Sequence, residues 1–200
     1  MDNKSVSNKL IILLIVISVL VLAVDGLAFA LFINKESNKS DEFFDSGSVV
    51  MSYAENSDIF FINNMLPIAS DIGRVNNNVG QYYDFTVKVN VGDSKSVDYE
   101  IALEIDDEFT TALPENILVY LEKQESGTYI PVSEPITFDK IDIKSTCNAP
   151  DAAKIIAKVS SKKNISHNYR LRMWLADGTV VTPEFLQSFG IEINVYGKAK

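Results

Sequence analysis

The sequence predicts an all-β domain folded as an antiparallel sandwich and preceded by one N-terminal hydrophobic helix. Three observations carry this reading. In Tyr83 to Val91, the residues Tyr83, Phe85, Val87, Val89 and Val91 share one face while Asp84, Thr86, Lys88 and Asn90 take the other, the period of a half-buried strand. Val97, Tyr99, Ile101, Leu103 and Ile105 repeat the pattern against Asp98, Glu100, Ala102 and Glu104. Upstream, Leu10 to Ile33 is almost wholly apolar, and beyond Gly47 helical periodicity is nearly absent.

The apolar block reads as an export signal behind the short basic leader Met1 to Lys9. From Leu10 to Val24 it is apolar apart from Ser18, about the length of a long signal-peptide core and short of the roughly 20 residues that cross a bilayer. Asp25 and Gly26 break the run. Ala28-Phe29-Ala30 then offers the small-x-small pattern that a signal peptidase accepts, so residues 1–30 form the leader and cleavage is expected after Ala30. The competing reading keeps Leu10 to Ile33 as a membrane anchor, with Asp25 near the outer headgroups, where a carboxylate costs little. Lys4 and Lys9 before the block are matched by Lys35 and Lys39 after it, so charge leaves orientation open, and the short polar leader favours a cytoplasmic N-terminus. Both readings place the main domain outside the cytoplasm.

Residues 31–46 form a linker, polar and charged from Asn34 to Ser46 and broken only by Phe43 and Phe44; the sandwich is expected over residues 47–200. Ser48 to Tyr53 and Asp58 to Ile62 are the first two short strands, followed by a long loop from Asn63 to Asn78. Tyr83 to Val91 and Val97 to Ile105 are then expected to pair as a long hairpin around the turn Gly92 to Ser96. One half-buried sheet would leave its apolar face in water at about 25 cal/mol per Å², so a second sheet must cover it. The candidates are Ile117 to Glu122, Thr128 to Val132, Ala152 to Val159, Tyr169 to Leu175 and Ile191 to Tyr196. In the fourth, Tyr169, Leu171, Met173 and Leu175 alternate with Arg170, Arg172 and Trp174. Asp177-Gly178 is a turn, and Thr182 to Gln187 is expected as one helical turn with Thr182 as N-cap and Pro183 at N1. Roughly seven to nine short strands so connected fit a jelly-roll or Ig-like sandwich.

Composition bounds the chemistry. A net charge of −9 lacks the basic patch that nucleic acid or an anionic membrane surface requires. Cys147 is the one cysteine, so the domain is held by its core without an internal disulfide, as is common in Gram-positive surface proteins. The Asn-x-Ser sequons at Asn38 and Asn164 matter only in a glycosylating host, and the chain reads as bacterial. His167 is the one histidine, which excludes multi-histidine metal sites; in Ser166-His167-Asn168 it reads as a solvated loop residue. Cys147 follows Ser145-Thr146 with no recognisable activating partner and reads as a surface or half-buried thiol. Asp106-Asp107-Glu108, and Asp139 with Asp142, offer oxygens to calcium but not the spacing of a calcium loop, and read as solvated strand ends. Trp174 beside Arg170 and Arg172 is open to stacking on a sugar, to pairing with acids, or to packing under the C-terminal helical turn. No catalytic set, cofactor site or metal site is expected, so the chain reads as a non-enzyme.

Two stretches carry a family resemblance. Gly26-Leu27-Ala28-Phe29-Ala30-Leu31-Phe32 resembles the cleavage region, and Phe44-Asp45-Ser46-Gly47-Ser48-Val49-Val50-Met51-Ser52 the first strand, of the TasA and camelysin family of bacilli. Asn64-Met65-Leu66-Pro67, Tyr83-Asp84-Phe85-Thr86-Val87-Lys88 and Val97-Asp98-Tyr99-Glu100-Ile101 follow the family's order of a Leu-Pro loop, a Phe-rich strand and a Tyr-containing return strand. The resemblance covers about Gly26 to Ile105 and is weak beyond it. It departs at Pro67, followed by Ile68-Ala69 where the family often has Gly-Asp.

The resemblance implies an exported β-sandwich protein of the cell surface or biofilm matrix, in which the freed arm of one copy adds as a strand to the next. Leu31, Phe32, Ile33, Phe43 and Phe44 are the side chains such an arm would offer to an open sheet edge. Its expected partners are other copies or other matrix proteins. The metalloprotease description of camelysin is not carried over, because one histidine provides no zinc triad. The alternative function is a membrane-anchored, adhesin-like module that keeps the apolar segment and binds through loops such as Asn63 to Asn78 or through the Trp174 region.

Overall fold

The computed structural model describes residues 47–53, 57–78, 82–181 and 187–200. The expected N-terminal helix, the cleavage residues Ala28 and Ala30, the arm residues Leu31, Phe32, Ile33, Phe43 and Phe44, and Thr182 to Leu186 of the expected helical turn lie outside them. In chain order the elements are β1 (Ser48–Tyr53), β2 (Ile59–Met65), β3 (Pro67–Ile68), α1 (Ser70–Gly73), β4 (Tyr82–Asn90) and β5 (Val97–Ile105). They continue with β6 (Ile117–Glu125), β7 (Thr128–Pro131), β8 (Ile136–Thr137), β9 (Lys154–Ser161), β10 (Ile165–Ala176) and β11 (Gln187–Ala199). Among the described residues no helix is long and apolar enough to cross a membrane.

Two sheets pack face to face. Sheet A runs β1-β4-β10-β6-β7, with β3 beside β10 and β8 beside β6; sheet B runs β2-β11-β5-β9. Pairing is antiparallel throughout except where β3 lies parallel to β10. The alternating residues meet in the middle: Tyr83, Phe85, Val87 and Val89 from β4, Val97 to Leu103 from β5, Tyr169 to Leu175 from β10, and Phe189 to Ile193 from β11 form one buried cluster. The all-β antiparallel sandwich read from the sequence is the fold.

The expected hairpin does not form, because β4 and β5 belong to different sheets. β4 pairs with β1 and β10, and β5 with β11 and β9. Alternation specifies which face is buried and says nothing of the partner. At the crossing, Asn164 Oδ1 accepts the Val91 N–H at 2.9 Å, Gly92 takes φ +55°, and the Lys95 and Ser96 N–H groups donate to the Lys200 carbonyl. The turn is thereby tied to the end of β11. From β1 through β2, β4, β5, β6, β9, β10 and β11, successive long strands alternate between the sheets, a jelly-roll winding rather than an Ig-like one.

Two further expectations are corrected. The loop Asn63 to Asn78 instead contains the end of β2, then β3 and α1. Pro67 is tolerated there because β3 is a two-residue pairing at the far end of β10. β10 and β11 are longer than their alternation suggested, since polar residues on the outer face continue the ladder without adding hydrophobic signal.

Candidate functional site

The edges of sheet B differ in kind. β9 carries Lys154 and Lys158, runs on into Lys162 and Lys163, and pairs only with β5 among the described residues. Lys154 Nζ donates to the Asp139 carbonyl at 2.8 Å, Ile155 N–H to the Asp142 carbonyl at 2.6 Å, and Lys158 Nζ to the Lys144 carbonyl, so the 139–144 loop lies along the start of that strand. Lysines and a covering loop are devices that blunt a sheet edge. β2 has neither lysine nor proline; it buries Phe60, Ile62 and Met65 and, among the described residues, pairs only with β11. Its outward Phe61 ring stands 5.0 Å from Phe109, and the two close over Gly190, where a Cβ would come within 3.0 Å of Phe109 Cβ.

Beside β9, Glu100 is 1% exposed although it lies on the outer face of β5. Burial alone would raise its pKa, but Ser145 Oγ at 2.6 Å, the Thr146 N–H and hydroxyl at 2.9 Å each, and the Cys147 N–H at 3.2 Å donate to it and hold it below the usual glutamate value. Lys158 Nζ completes the surroundings at 3.7 Å. Cys147 is buried rather than at or near the surface, and burial followed by the Glu100 charge pushes its pKa up, so the reactive thiolate is disfavoured. Asp98, Glu100 and Lys158 wall a shallow pocket here.

His167 is not a loop residue but the third residue of β10, half-buried at the edge of the core. Its Nδ1 lies 2.9 Å from Tyr99 Oη, and Tyr99 Oη lies 2.6 Å from Tyr169 Oη, so a polar chain joins β5 of sheet B to β10 of sheet A. Burial and then the Lys123 charge lower its pKa, favouring neutral imidazole.

Trp174 is enclosed and so is not a sugar platform; the C-terminal helical turn expected over it lies outside the described residues. It is 2% exposed and lies under α1, where a Cβ on Gly73 would stand 2.4 Å from its Cδ2. Arg170 and Arg172, beside it on β10, are both engaged. Arg170 makes two 2.7 Å bonds to Asp84 between the Tyr82 and Tyr129 rings, and Arg172 pairs with buried Glu122 at 2.7 Å.

Asp106 Oδ1 accepts the Glu108 N–H at 3.0 Å and Asp142 Oδ1 the Lys144 N–H at 3.1 Å, the work of turn residues. Among the described residues no three His, Cys, Asp or Glu side chains are grouped to hold a metal ion. Sequence reading missed Glu100, and named Arg172 as a residue that pairs with acids without its burial, because period-2 alternation puts both outside. Sequence reading did not identify the edges, but the signal that could have contrasted these strands is there: no acidic residue occurs from Ala152 to Ala176, and no lysine from Ile59 to Met65. No family model matches this chain, and no curated protein matches it by sequence.

Proposed function

We propose that this chain is an exported bacterial cell-surface or biofilm-matrix structural protein, a fibre subunit in which the N-terminal arm of one copy adds as a strand to the sandwich of the next. The observation that carries the reading is the edge strand β2, which among the described residues pairs only with β11 and carries no lysine or proline, set against the lysine-guarded edge of β9 in the same sheet. An unguarded edge offers main-chain hydrogen bonds to an extended segment, with side-chain positions that fix its register. Leu31, Phe32, Ile33, Phe43 and Phe44 are the apolar side chains of the arm, freed by cleavage after Ala30. The resemblance to TasA and camelysin points the same way. The partners are copies of this chain or other matrix proteins, and the role requires no cofactor and no catalytic step.

The test is the N-terminus of the protein from cells and medium, by intact mass, followed by filament imaging. A start at Leu31 with filaments that disappear in Phe43→Asp/Phe44→Asp supports the reading. A start at Met1 in the membrane fraction overturns it.

One observation favours the anchored binding module instead. Around α1 and the β10–β11 connection, Leu66, Ile72, Val75 and Val180 are exposed, Val180 at 84%, as residues that meet a partner are. Ala28→Leu/Ala30→Leu traps a secreted subunit in the membrane and leaves an anchored module unchanged.

A further inference from the structure

The two edges of sheet B also differ in charge. Around β2 stand Asp58, Glu104, Asp106, Asp107, Glu108 and Glu192, none in an ion pair among the described residues. Register places them there: Glu192 is opposite both Ile59 and Glu104, and Asp106 N–H donates to the carbonyl of Gly190, the residue opposite Phe61. The β9 edge presents Lys162 and Lys163, in no ion pair among the described residues, beyond Lys154 and Lys158, whose ammonium groups are held by the chain's own loop carbonyls and, for Lys158, Glu100; the adjoining loop adds Lys140 and Lys144 against Asp139 and Asp142.

Strand direction matches the charge. Sheet B has four antiparallel strands, so β2 and β9 run in opposite directions. A second copy in the same orientation, placed with its β2 beside β9, continues the antiparallel ladder. Sheet A lacks this property, because β1 and β7 run the same way. The strands have similar lengths, 7 residues in β2 and 8 in β9, and Ile156 to Ser161 remain beyond the amide taken by Asp142.

We propose that copies of this chain associate side by side, the basic β9 edge of one docking on the acidic β2 edge of the next. The lysines that repel a second β9 match β2, and the carboxylates repel a second β2, so charge selects the heterologous pairing. Ser161 aligns through Val97 with Ala199, whereas Ile59 aligns with Glu192, so each copy steps along the strands by about seven residues, roughly 24 Å. Lys162 and Lys163 then lie beside Asp58 and Glu192 of the neighbour. A heterologous contact of this kind continues into an open row unless its rotation closes. The inference shares the self-assembly reading above but seats the neighbour's β9, not the arm, on the β2 edge, so the two modes of assembly compete for that edge.

The experiment is sedimentation of the full chain in a mild detergent at low salt and at about 0.5 M salt, where exposed charges are screened. Lys162→Glu/Lys163→Glu and Asp58→Lys/Glu192→Lys are each expected to weaken association at least about tenfold at low salt. An equimolar mixture of the two, and a single chain with all four changes, restore it, which also shows that the variants fold. Association that is indifferent to salt and to both swaps overturns the proposal, and so does loss that neither combination restores. Phe43→Asp/Phe44→Asp separates the two readings: it abolishes arm-dependent fibres and leaves the salt-sensitive association intact. Swaps without effect beside an arm variant that abolishes assembly sink the lateral contact alone.

Discussion

The outer faces of the two sheets bury charge by opposite means. On sheet A the cations of β10 meet carboxylates from neighbouring strands: Arg170 with Asp84, and Arg172 with Glu122, the latter pair 4% and 7% exposed. On sheet B one carboxylate, Glu100, is enclosed mainly by neutral donors from a single loop, Ser145 to Cys147. A buried ion pair is a symmetric solution. Removing one partner strands the other in a poorly solvating place, while removing both leaves an ordinary apolar contact. A carboxylate held by hydroxyls and amides is asymmetric, since its donors remain polar and buried whatever replaces it.

The largest effect is therefore expected on sheet A. Arg172→Met alone should cost about 3–5 kcal/mol in urea unfolding by leaving Glu122 unpaired, whereas Arg172→Met/Glu122→Leu should recover most of that loss. A single-variant cost below about 1 kcal/mol would mean the pair is effectively solvated, and the contrast would collapse.

On sheet B, Glu100→Gln should cost about 2 kcal/mol, because the amide keeps one acceptor oxygen and turns an NH₂ toward the Thr146 and Cys147 N–H groups. Its pH signature follows from the lowered pKa. Glu100 contributes fully above its ordinary value of 4.5, and that contribution drains as pH falls toward the folded-state value. Wild type should lose stability below pH 4.5 more steeply than Glu100→Gln, as read from thermal midpoints across pH.

Gly73→Ala probes how the cover on sheet A is fitted. A methyl there overlaps the Trp174 indole, so a cost of about 1–3 kcal/mol and a shift in Trp174 fluorescence are expected. The smallest effect lies between the sheets. His167 has a lowered folded-state pKa, so its neutral form stabilises the fold above 6.5, and this is lost as pH falls through the folded value. His167→Gln should remove that acid-side slope and change little at pH 8.

Much of the sandwich was legible because burial on one side of a strand is a local pattern. β1 and β5 begin and end where alternation placed them, and Tyr169, Leu171, Met173 and Leu175 are buried as that pattern required. The errors share one cause, which is that alternation distinguishes two faces without saying what covers the outer one. Trp174, Arg172 and Glu100 read as outward, and are outward relative to their sheets, yet α1, the Asn76-Asn77 stretch and the Ser145 to Cys147 loop close over them.

The sequence by itself determined most of the long strands, their inward faces, a lysine-rich and a lysine-free segment and the apolar block of residues 10–33. Tertiary structure alone decided that β4 and β5 lie in different sheets, that β2 and β9 bound the same one, and that Glu100, Arg172 and Trp174 are enclosed. The physical reason is one of range. A face is chosen by neighbours two residues away, whereas a strand's partner is chosen by closure of the whole core, as when the Gly92 to Ser96 turn is held by the carbonyl of Lys200.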